Sequence, residues 1–97
     1  MFVSQPNARI HCVAAAAVVA LAWWLGVSHM EWAALVLAIA LVMGAEALNT
    51  ALEYVVDLVS PEWHPLARDA KDVAAAAVLL CSVGAAVVGL LVFVPYL

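Results

Sequence analysis

Four polar side chains, Glu46, Asn49, Glu53 and Asp57, interrupt a long apolar stretch. On a helix they lie at roughly 0°, −60°, −20° and +20°, one narrow stripe with Thr50 beside it. Leu48, Leu52, Val55 and Val59 occupy the other face. An ionisable group inside a bilayer is expensive, and its presence points to function. A single structural pair would explain Glu46, but not four aligned polar residues. A second group follows: Glu62, His64, Arg68, Asp69, Lys71 and Asp72. If the chain turns back after Val59, Lys71 and Asp72 come to lie beside the end of the striped helix. Carboxylates, an amide and a lysine at a membrane surface suit phosphoryl transfer. Mg²⁺ takes one or two carboxylates together with phosphates, a lysine neutralises phosphate charge, and a base takes the proton of the acceptor hydroxyl. Neither GxxxxGK[ST] nor a kinase glycine-rich loop occurs, so a nucleotide site here is not a P-loop.

The elements that position these residues follow from hydropathy. The 97 residues are 70% hydrophobic and 10% charged, with mean hydropathy +1.17. A soluble domain of this size could not bury that much apolar surface. Apolar runs cover 10–27, 31–59 and 70–94, each long enough to span a bilayer. Strands are excluded because an open sheet leaves unpaired edges in lipid. The expected fold is an all-α membrane protein, one domain over 1–97, with three transmembrane helices per subunit. A short linker covers 28–30 and a loop covers 60–69. Arg9 before an alanine-rich run also fits a signal peptide, but two further spans follow it.

Arg9, Arg68 and Lys71 are the only Lys and Arg residues. They flank the N-terminus and the 60–69 loop, which places both in the cytoplasm and the C-terminus outside. Trp23, Trp24, Trp32 and Tyr96 form the expected outer aromatic belt, and Tyr54 and Trp63 the inner one. No basic footprint for nucleic acid is present. Cys12 and Cys81 sit in separate apolar segments and read as small packing residues, and the three histidines are scattered. On the third helix Ala70, Ala74, Ala77, Cys81 and Gly84 form a small-residue seam suited to close helix approach, and a thin three-helix unit is expected to oligomerise. If the second helix enters at Glu31, Glu46 lies about 22 Å in and Glu53 about 33 Å in. Glu46 therefore sits where a lipid hydroxyl reaches it, and Glu53 and Asp57 emerge at the cytoplasmic surface.

The order E-A-L-N-T-A-L-E-Y-V-V-D (46–57), S-P-E-W-H-P-L-A (60–67) and A-K-D-V-A-A-A-A-V-L-L (70–80), preceded by N-A-R-I-H (7–11), resembles the prokaryotic diacylglycerol kinase family, which includes undecaprenol kinases. The likeness covers essentially the whole chain from Asn7 onward. It implies a homotrimer of three-span subunits in the bacterial cell membrane, with active sites at subunit boundaries near the cytoplasmic face. It implies that Glu46 is the general base and meets the lipid. Asn49 would order the phosphates, Glu53 would bind metal and ATP, and Glu62, Trp63, His64, Lys71 and Asp72 would contact ATP. Ala75 would line the lipid site and Mg²⁺ would be the cofactor. Gln5 stands where the family usually has a metal-binding glutamate, and a neutral amide is the weaker ligand. Trp63 replaces a more usual tyrosine. About nine residues precede the first span, where the family usually carries a longer amphipathic helix. The loop and the N-T-A-L-E segment look more like the undecaprenol kinase branch, which implies undecaprenol over diacylglycerol as the alcohol. A small proton-coupled transporter and an inactive relative are the alternatives from other classes. The first typically needs four spans with the glutamate in the first, and Gln5 keeps the second open.

Overall fold

A computed structural model describes residues 6–97. Three helices, α1 (Pro6–Leu25), α2 (His29–Val59) and α3 (Pro65–Phe93), are followed by a 3₁₀ turn, Val94–Tyr96, and no strand occurs among the described residues. All three helices are long and apolar enough to cross a membrane. The molecule measures 51 × 22 × 18 Å, so its long axis exceeds the roughly 40–45 Å of a bilayer with its headgroups.

The turns are set by local chemistry. Gly26 ends α1 with φ +66°, a left-handed position that costs glycine nothing and other residues a steric penalty. The N–H groups of Gly26 and Val27 both donate to the Ala22 carbonyl, at 3.0 and 3.3 Å. Ser28 then caps α2 in a reciprocal capping box: its hydroxyl accepts from Glu31 N–H at 3.2 Å, and its own N–H donates to Glu31 Oε1 at 2.8 Å. Two orphan donors of the helix start are thereby satisfied. Glu31 Oε1 also accepts from the Tyr96 hydroxyl at 2.5 Å, tying the chain's end to the start of α2. At the opposite end Ser60 caps α2 through its N–H to the Val56 carbonyl, and Pro61 prevents the helix from continuing.

The loop is shorter than the hydropathy pattern suggests. Pro65 occupies the first turn of α3 and His64 caps it, its Nδ1 accepting from Leu66 N–H at 3.1 Å. Proline fits this position because its missing N–H would be unpaired there anyway. The expected 60–69 loop therefore contracts to 60–64, and Arg68 and Asp69 stand on the first turns of a helix.

α3 packs along α2 for most of its length, and α1 touches α2 over a shorter stretch. The apolar core lies at the Tyr96 end, where Ala22, Val27, Leu35 and Val92 are buried with Val88 and Phe93 against them. The seam of α3 differs from the expected one. Ala70, Ala74 and Cys81 are half-buried, but Ala77 and Gly84 are exposed, and Val78, Ala85 and Val92 take their places. A strict seven-residue seam drifts around a straight helix of 3.6 residues per turn, and the contact line follows the helix rather than the heptad. The outward face carries the large apolar residues, among them Leu79, Leu80, Leu90 and Leu91, as lipid contact requires. Trp23 and Trp24 project from the Tyr96 end, and Tyr54 and Trp63 are exposed toward the other.

Candidate active site

The buried side of α2 runs Leu35, Ala38, Val42, Glu46, Thr50. Glu46 is 3% exposed and Thr50 2%, in positions where the periodicity alone would set apolar residues. The Thr50 hydroxyl donates to the Glu46 backbone carbonyl at 3.0 Å, so it is satisfied locally and leaves the Glu46 carboxylate alone. Asn49 and Glu53 are half-buried and joined, with Asn49 Nδ2 donating to Glu53 Oε1 at 3.1 Å. Asp57 is exposed. The stripe is thus real and graded, running from a buried acid to an exposed one.

Lys71 Nζ pairs with Asp57 Oδ1 at 2.5 Å. Their side chains are 39% and 62% exposed, and a pair so open to solvent is worth about 1 kcal/mol or less. A phosphate can therefore displace the carboxylate at little expense. Arg68 Nε lies 3.8 Å from Asp72 Oδ2, one turn apart on the surface of α3. A cavity of about 270 Å³ opens at this end, lined by Asp57, Glu62, Trp63, His64, Lys71 and Asp72 among others. Every residue expected to contact ATP from the loop and α3 lines it. Because His64 Nδ1 accepts from Leu66, its Nε2 carries the ring proton in the neutral form and is free to donate to a bound group.

Glu46 stands apart from this cluster. Asp57 is about 16 Å farther along the α2 axis, and Lys71 is held beside Asp57. The antiparallel packing of α3 sets Ser82 level with Glu46, while Ala75, expected to line the lipid site, lies about 10 Å from that level and faces outward. Within one chain Ala75 is not brought to Glu46. Gln5 lies outside the described residues.

Among the described residues no three His, Cys, Asp or Glu side chains converge on one point. The donors around Glu53 nonetheless fit a hard cation that completes its shell with phosphate and water. Glu53 contributes a half-buried carboxylate steered by Asn49, whose own Oδ1 is buried without a partner.

One close neighbour of Glu46 stood in the N-A-R-I-H segment but was given no role from the sequence. His11 Nδ1 comes within 3.4 Å of Glu46 Oε2. Spacing along the chain gives no sign of a contact between α1 and the middle of α2; a polar ring on an apolar helix was the available signal. His11 also ends a second cavity, about 410 Å³, walled by Val18, Leu35, Val42, Ala85, Phe93 and other apolar residues, with Ser82 the other polar member.

The pattern of the family described as prokaryotic diacylglycerol kinase matches residues 1–93. The chain belongs to this family. An undecaprenol kinase of Bacillus subtilis is 40% identical over 94 residues, which cover 97% of this chain and 76% of that protein. A diacylglycerol kinase of Synechocystis sp. is 46% identical over 95 residues, covering 97% of this chain but only 54% of that protein. A diacylglycerol kinase of Escherichia coli is 36% identical over 86 residues, 89% of this chain and 70% of that one. The family is one of membrane lipid kinases, and the chain is accordingly a membrane protein with a lipid substrate and ATP. The transporter alternative falls with that assignment.

Proposed function

We propose that the chain transfers the γ-phosphoryl group of Mg-ATP to the hydroxyl of undecaprenol, with Glu46 as general base. The observation that carries this reading is a carboxylate buried at mid-helix depth on the same helix that ends in the Lys71 cavity. A lipid hydroxyl reaches the first and a water-soluble nucleotide reaches the second. Glu62, Trp63, His64, Lys71 and Asp72 hold the nucleotide, and Asn49 orders its phosphates. Glu53 would hold Mg²⁺, with Gln5 as the weaker candidate ligand. When bound, the ion would neutralise charge on the transferring phosphoryl group.

The apolar walls of the cavity that ends at His11 favour a polyprenol. Undecaprenol carries one hydroxyl on a hydrocarbon chain, whereas diacylglycerol brings two ester groups whose carbonyls would find few donors there. Diacylglycerol is the second reading, favoured by the higher identity to the Synechocystis protein.

A homotrimer with sites at subunit boundaries is part of the proposal. It is supported by the thinness of the three-helix unit, which leaves large apolar residues exposed on every helix. A neighbour's residues would also meet Asn49 Oδ1, which is buried and unpartnered here. The N-terminus and the 60–64 loop face the cytoplasm and the C-terminus faces outward, supported by Arg9, Arg68 and Lys71. The test supplies purified protein in micelles with labelled ATP and, separately, undecaprenol and diacylglycerol. Faster transfer to undecaprenol is expected. Preference for diacylglycerol would install the second reading, and transfer to neither would make the chain an inactive relative.

A further inference from the structure

Glu46 is among the most buried of the described residues, yet its helical neighbours do not hold its carboxylate. The Thr50 hydroxyl is bound to the Glu46 main chain, and the Asn49 amide is bound to Glu53. A carboxylate with both oxygens free to turn is a poorly aimed base, and misplacement of a reacting group by about 1 Å costs up to about a hundredfold in rate. The side chain that reaches the carboxylate comes from α1. His11 is half-buried while Cys12 and Val13, next along the helix, are exposed. Its Nδ1 lies 3.4 Å from Glu46 Oε2 and is buried with no aligned hydrogen-bond partner. The separation is slightly long for a hydrogen bond, as catalytic contacts often are before substrate tightens the site.

We infer that His11 is the positioning residue of the base: its Nδ1–H donates to Glu46 Oε2 and fixes the carboxylate so that Oε1 alone meets the acceptor hydroxyl. This rests on the reading of Glu46 as the base. In the transfer step the lipid O–H bond breaks and its proton passes to Glu46 Oε1. The hydroxyl oxygen forms the new bond to the γ-phosphorus, and the bond from that phosphorus to the bridging oxygen breaks, releasing ADP. His11 keeps its proton throughout. Its contribution is orientation, and it couples α1 to the chemistry on α2.

The experiment compares full-length His11→Ala, His11→Asn, His11→Gln, Glu46→Gln and the His11→Ala/Glu46→Gln double variant in micelles, measuring kcat and KM for ATP. Asparagine sets an amide N–H close to where Nδ1 stands; glutamine sets it farther out. His11→Ala is expected to lower kcat about tenfold to a hundredfold with KM for ATP unchanged. His11→Asn should restore most of the loss and His11→Gln less. Adding His11→Ala to Glu46→Gln should have no further effect, because nothing is left to aim. If Glu46→Gln abolishes transfer while His11→Ala keeps wild-type kcat, the base stands and the positioning role is overturned. Equal losses in the Ala, Asn and Gln variants, all with native circular dichroism and thermal midpoint, would likewise overturn it, because packing alone would then account for His11. If His11→Ala does not fold, the ratio of His11→Asn to His11→Gln decides. An active Glu46→Gln protein would instead remove the base assignment itself.

Discussion

Replacing Glu46 by glutamine is the most incisive perturbation of this site. The amide has nearly the volume of the carboxylate, so the 3% exposed position stays filled and no cavity term arises. The Thr50 hydroxyl binds the Glu46 main chain, so that hydrogen bond survives the change. Among the described residues the polar side-chain contact altered is His11, 3.4 Å away. Removing a buried charge also lifts its desolvation cost, so stability should hold or rise. The loss therefore falls on the chemical step. A positioned general base contributes about 10²–10⁴-fold, equivalent to about 3–5 kcal/mol of barrier at 1.36 kcal/mol per tenfold. Lys71 and its cavity lie about 16 Å along the helix, so affinity for ATP should not change. The assay is transfer of ³²P from ATP to undecaprenol in micelles, run beside equilibrium binding of ATP and a thermal melt in the same detergent. Turnover within threefold of wild type, with native melting, would refute the general-base reasoning. A matching fall in ATP affinity would refute the separation of the two ends.

Lys71→Ala should raise KM for ATP about tenfold or more, as a charge-assisted phosphate contact is worth about 1.5–3 kcal/mol and only the weak Asp57 pair offsets it; an unchanged KM would remove Lys71 from the nucleotide site. Gln5→Glu should tighten Mg²⁺ or raise activity by restoring a carboxylate, and no change in the Mg²⁺ dependence would show that this position binds no metal. Gly26→Ala should destabilise the chain by about 1 kcal/mol, read as a lower thermal midpoint, because φ is +66° and no neighbour obstructs a methyl group there; a rise in the midpoint would contradict that origin of the loss.

Hydropathy and period determined much of this protein directly. Three spans, their antiparallel order and the polar stripe of α2 all follow from the sequence, because a bilayer admits few backbone solutions and a helix fixes which residues share a face. The Glu46–Asp57 stripe and the Lys71 cluster were legible for that reason, as was the family. What the sequence could not fix is rotation and axial register between helices. The α3 seam follows Val78 and Ala85 rather than Ala77 and Gly84, since small residues occur on several faces of that helix and only packing selects one. The loop end at Pro65 depends on the His64 cap, a side-chain geometry that composition does not reveal. The His11–Glu46 contact was decided by the tertiary structure alone. It depends on how far one helix slides along another, and a shift of a single turn, about 5.4 Å, would remove it without altering any pattern along the chain.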